Sequence, residues 1–168
     1  MKVIVFILVA VVCFSSCRNE TDSKVNDRDS LSTATSIEST EGISDPLYTV
    51  EYDEKTQGLN LVRGDETITG VDAADVVRVM NKKYEGIKLD LVDSGKDTIA
   101  VKIDDATKLS QGMGSMGAEA YLAELTFSMT ELEGVKAVKI DFEEGDHAMP
   151  GVYTRADFKD LIKPVVKK

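Results

Sequence analysis

The chain has 168 residues, a formal net charge of −10, one histidine, two cysteines and no tryptophan. That charge argues against a nucleic-acid partner or an anionic surface. The scarcity of broad rings argues against a sugar-stacking carbohydrate module, and the length suffices for one core without covalent staples.

Met1 and Lys2 give a short positive start, Val3 to Phe14 is an almost unbroken apolar run, and Phe14-Ser15-Ser16-Cys17 closes it. The run falls short of the roughly 20 apolar residues of a bilayer-spanning helix. It has the charged and apolar regions of a secretory signal. Small residues directly before a cysteine resemble the lipobox of bacterial lipoproteins, with Phe14 where Leu is commoner. The resemblance implies that 1–16 is a signal peptide, that Cys17 is acylated (palmitate among the chains), and that it enters the lipid bilayer of a cell membrane or outer membrane. Two or three acyl chains anchor firmly where one is marginal. An ordinary secretory signal with a chance cysteine, or an uncleaved anchor, are the alternatives. Cys13 lies inside the signal, so the exported part holds no disulfide, thiol nucleophile or thiolate metal site.

Residues 17–45 are polar and rich in Ser, Thr, Asp and Glu. Such a segment cannot repay its ordering entropy and reads as a flexible tether from lipid to a domain over 46–168. Leu47 to Asp53 alternates as a strand, with Tyr48, Val50 and Tyr52 on its apolar face, and Leu59 to Val62 returns after a turn. Asp72 is placed to cap a helix carrying Val76, Val79, Met80 and Tyr84 at helical spacing, with Gly86 as its stop. Ile87 to Val92 and Thr98 to Ile103 alternate about a turn at Asp93-Ser94-Gly95-Lys96, a hairpin. Asp104 to Gly117 reads as a loop of small residues. Ala118 to Leu132 reads as the longest helix, with Ala118, Tyr121, Leu122, Leu125, Met129 and Leu132 as its apolar stripe. Gly134 stops it, Val135 to Phe142 follows as a strand, and strand, helix and strand form one crossover. Thr154 is placed to cap a short last helix bearing Phe158, Leu161 and Ile162.

From Gly112 the run GMGSMGAEAYLAELTFSMTELEGVKAVKIDFEEGDH resembles the GerMN domain, the sporulation and germination type module of bacterial envelope lipoproteins. The matching features are Gly114-Ser115 before a helix containing Glu119, then Ser128-Met129-Thr130-Glu131-Leu132. Gly134-Val135-Lys136-Ala137-Val138 opens the strand, and Glu144-Gly145 makes the turn. The resemblance covers 87–146 well and 46–86 loosely. Tyr84-Glu85-Gly86 crosses directly where the family carries a proline-bearing loop. The resemblance implies a non-catalytic α/β module that binds or organises envelope components, with no catalytic residues to carry over.

His147 sits beside Glu143, Glu144 and Asp146, ahead of Met149-Pro150-Gly151. A histidine among carboxylates suits a general base or a hard metal site, although no two-histidine spacing accompanies it. A surface turn is the structural reading. Gly112 to Gly117 feeds a helix start, where backbone N–H groups hold anions. It lacks the Lys of a phosphate-binding loop, and Ser115 reads more simply as the helix cap. Met113 and Met116, with Met149 to Tyr153 as a second lip, offer a soft partner surface, or else fold over the end of the core.

The expectation is an α/β (α+β) single domain. It has a mixed or antiparallel sheet, two main helices on one face and a short C-terminal helix. The functional expectation is a non-catalytic envelope module for a protein or peptidoglycan component, with no nucleic acid, no metal and no cofactor. Gly114, Ser115, Met116 and His147 are the candidate ligand contacts. The alternative is a small envelope hydrolase or metal-dependent enzyme built on the His147 acidic cluster. Self-association through a sheet edge is a third reading.

Overall fold

In the computed structural model, residues 42–162 are described; they lie in one compact unit, Glu38–Lys168. The expected signal peptide, Cys17 and most of the tether lie outside them. The packed chain starts before the expected boundary at 46. Ile43 is buried in the core, Arg78 donates to its carbonyl, and Ser44 Oγ–H donates to Glu66.

The architecture is a mixed α+β fold. A two-stranded hairpin, β1 (Tyr48–Asp53) and β2 (Gly58–Arg63), stands apart from a four-stranded sheet. That sheet is ordered β3 (Leu89–Ser94), β4 (Thr98–Ile103), β5 (Ala137–Asp141), β6 (Gly151–Tyr153). β4 and β5 run parallel, and both outer pairs are antiparallel, so the sheet is mixed. Parallel neighbours need a crossover, and α2 (Gly114–Met129) supplies it. Alternation puts Leu89, Ile99, Val101, Ile103, Val138 and Ile140 on the buried face. Lys102, Lys139 and Asp141 face solvent on the other.

α1 (Ala73–Lys83) begins where the Asp72 carboxylate accepts from the Asp75 N–H and the Asp75 carboxylate accepts from the Asp72 N–H. It buries Ala73, Val76, Val79 and Met80, the face predicted from spacing. Gly86, at φ +84°, turns the chain out of it into β3. The β3–β4 register slips at Val92, whose side chain is 63% exposed at the sheet edge.

The long helix differs from its prediction. Every residue from Tyr121 to Met129 is buried, Glu124, Thr126 and Ser128 included. A helix buried all round has no stripe. α2 lies between the sheet and the β1–β2 hairpin, touching β1, β2, β5 and α1. The hairpin therefore acts as a lid on its second side. Tyr48, Val50, Leu59 and Leu61 pack inward there, while Tyr52, expected on the same apolar face, is exposed. At the end of the described residues, a 3₁₀ helix (Arg155–Leu161) buries Phe158 and Leu161, and Ile162 stays exposed. The Asp157 carboxylate accepts from both the Thr154 N–H and the Thr154 hydroxyl.

Candidate functional site

The predicted loop before α2 is largely helical. Lys108–Gly112 forms a single π-helical turn, a feature often found at functional sites, with Leu109 and Ser110 buried. Gly114 sits at φ +68° and lets the chain leave that turn and start α2. Nothing would crowd a Cβ there, so backbone conformation alone calls for glycine.

The helix starts one residue before Ser115, which corrects the expectation that Ser115 is its cap. Met113 holds the cap position, with no side-chain oxygen bonded to the first turn. Ser115 instead turns its Oγ to His147 Nδ1, 3.0 Å away. The two are 32 positions apart, and the loop after β5 makes the meeting possible. A Cβ on Gly145 would lie 2.6 Å from Ser110, so this loop rests directly on the π-helical turn. The His147 N–H donates to Ser110 O at 3.0 Å, and the Gly145 N–H donates to Ala148 O at 3.1 Å.

All four candidate residues therefore fall at one end of α2. Met113 folds back beside Gly117 and packs against the core, whereas Met116 is 46% and Met149 60% exposed. The expectation for the two loop methionines thus divides between them. An open cavity of about 550 Å³ lies alongside. Leu122, Ala148 and Phe158 line its apolar part, and Glu119, Glu144 and Asp146 its acidic part. The expected lip at Met149 to Tyr153 is partly strand β6. Tyr153 stacks on Phe158 with ring centroids 5.8 Å apart and donates its hydroxyl to Met149 O.

The acidic cluster is less assembled than its sequence suggests. Glu144 lines the cavity and Glu143 does not. Among the described residues, no group of three His, Cys, Asp or Glu side chains is placed to hold a metal ion. No carboxylate among them hydrogen-bonds the His147 ring, so nothing orients it as a triad would require.

Two polar networks that the sequence reading did not single out lie further along α2. Glu124 is 1% exposed. Its carboxylate accepts from Lys83 Nζ at 2.8 Å, Tyr84 Oη at 2.9 Å and the Val50 N–H at 2.6 Å. It thus ties α1, α2 and β1 together. Burial, and then the Glu124 charge, push the Tyr84 phenol up. The signal for Glu124 was a charge in the middle of the apolar run Leu122 to Phe127. At the C-terminal end, Glu131 accepts from Arg155 at 2.6 Å, Tyr48 at 3.0 Å and Arg63 at 3.3 Å. Arg155 also reaches Thr130 and the Phe127 carbonyl and lies over the Phe127 ring. Burial opposes the Glu131 charge, yet its three donors and the Arg155 charge hold its pKa below the ordinary 4.5.

A second cavity, about 410 Å³, lies between β1 and α1. Its lysines are engaged, Lys82 with Ser44 O and Lys83 with Glu124. No helix among the described residues is long and apolar enough to cross a membrane. No family model matches the chain, and no curated protein or solved structure matches it. The GerMN resemblance accordingly rests on the sequence phrases themselves.

Proposed function

We propose that this protein is a non-catalytic, lipid-anchored envelope module. It is held to the bilayer through acylated Cys17 and docks a protein or peptidoglycan partner beside His147. The lipobox-like start and the GerMN-like phrases supply the cellular setting. The observation that carries the docking surface is an open cavity lined by His147 and the exposed Met149, with Ser115 bonded to His147 Nδ1 and the neighbouring Met116 exposed. An apolar floor with a polar rim and flexible thioethers beside it suits a partner segment.

The hydrolase reading draws on the same Ser115–His147 contact. It lacks a carboxylate on the ring to orient it, and among the described residues no three His, Cys, Asp or Glu side chains are placed to hold a metal ion. The test is crosslinking in intact envelopes, with the tagged protein recovered and its partners identified by mass spectrometry. One specific partner, lost in Met149→Asp and in Met116→Asp but kept in Val92→Asp, is the expected result. No partner with any variant, together with ester or amide hydrolysis that disappears in Ser115→Ala, would replace this reading with the hydrolase.

A further inference from the structure

Resting on the docking proposal above, we infer that the partner segment presents an amine on an alkyl stem, a lysine-type side chain, to this cavity. The apolar part, Leu122 and Phe158, is nearly buried and offers a floor for methylene groups. Glu119, Glu144 and Asp146 stand exposed around it, on two different elements, α2 and the loop after β5. No lysine or arginine is among the described residues lining the cavity. That contrasts with Glu124 on α2 and Glu131 just beyond its C-terminus, which both have cations beside them.

Three carboxylates around an apolar floor complement a group that is apolar along its length and positive at its tip. An anionic partner would meet three carboxylates here, and a neutral apolar one would gain nothing from them. The attraction acts in an open, hydrated groove, so it falls with ionic strength.

The test uses the full chain solubilised in detergent and the probe acetyl-Ala-Val-Lys-Val-Lys-Ala-amide, with the norleucine-for-lysine peptide as comparison. Anisotropy should show the lysine peptide binding at least tenfold tighter. That preference should vanish when Glu119→Gln, Glu144→Gln and Asp146→Asn are combined. It should survive the equal charge change Asp90→Asn, Asp93→Asn and Asp97→Asn near the opposite sheet edge. Equal binding of both peptides, or a preference that persists in the first triple variant, would overturn the inference. Failure of both peptides to bind, while the envelope crosslink lost in Met149→Asp is still recovered, sinks the amine assignment and leaves the docking reading standing. Loss of that crosslink as well sinks both. The chain's own Lys163 to Lys168 segment carries the same chemistry, with Val165 and Val166 between lysines. A tenfold rise in peptide affinity on deleting 163–168 would assign the groove to that segment and overturn an external partner.

Discussion

The two ends of α2 are built on opposite plans. At the C-terminal end, Glu131, Arg155, Thr130 and Tyr48 satisfy one another, and the aromatic faces of Tyr48 and Phe127 lie beneath the guanidinium. At the N-terminal end the first turn has no side-chain cap, a serine hydroxyl meets a lone histidine, and methionines stand in solvent. Polar groups already matched inside the fold hold it together. Those left facing an open, apolar-floored groove are available to something outside it. The central Glu124 network belongs with the first plan, although it is more deeply buried.

Breaking the matched plan should cost most at Glu124. Glu124→Ala leaves the Val50 N–H and the Tyr84 hydroxyl without their acceptor, and each buried group left unsatisfied costs about 1–3 kcal/mol, while Lys83 still reaches water. Urea unfolding at neutral pH should show that loss, and the β1–β2 hairpin should gain hydrogen exchange before the β3–β4 hairpin does. A loss below about 1 kcal/mol would mean that Glu124 is not the tie between hairpin and helices. Arg155→Ala removes a partly exposed pair and its ring contacts, so a smaller cost of about 1–2 kcal/mol is expected.

The Glu131 network also predicts a pH dependence. Its pKa is held down in the folded state, so its contribution is present above the ordinary value of 4.5 and is lost as pH falls through the lower folded value. Glu131→Gln should therefore flatten the fall of stability below about pH 4.5, with thermal melts across that range as the check. An unchanged acid slope would contradict the network.

At the open end, Ser115→Ala and His147→Ala should each change stability by under about 1 kcal/mol, because both side chains retain access to water. The same substitutions should still weaken partner recovery from envelopes. A loss comparable to that of Glu124→Ala would move this end to the structural plan.

The contrast also explains how far the sequence could be read. The β3–β4 hairpin follows from Ile99, Val101 and Ile103 alternating behind a Gly95 turn, and α1 from its Asp72 cap. α1 keeps its spacing, whereas β3 runs on to Ser94, into the expected turn, and slips register at Val92. The start of α2 lies four residues before the expected Ala118, because Gly112 to Gly117 has loop composition while the left-handed Gly114 launches the helix. β6 has three residues, too few for alternation to register. Gly114, Ser115, Met116 and His147 each carry a local signal, but their meeting depends on the Gly145 loop resting on Ser110, a contact no local pattern encodes. Ala118, Tyr121, Leu122, Leu125 and Met129 are buried as the stripe requires, and the opposite face is buried too because the hairpin covers it. Glu124 in that apolar run was the clue.

The most direct test of the account places a photocrosslinking side chain at position 149, beside the open groove, and separately at position 62, next to the Arg63–Glu131 pair. Both positions are exposed. Irradiation of intact envelopes should give one discrete adduct from position 149 and none from position 62. An adduct from position 62 alone, or the same adducts from both, would contradict the claim that the partner docks at the uncapped end of α2.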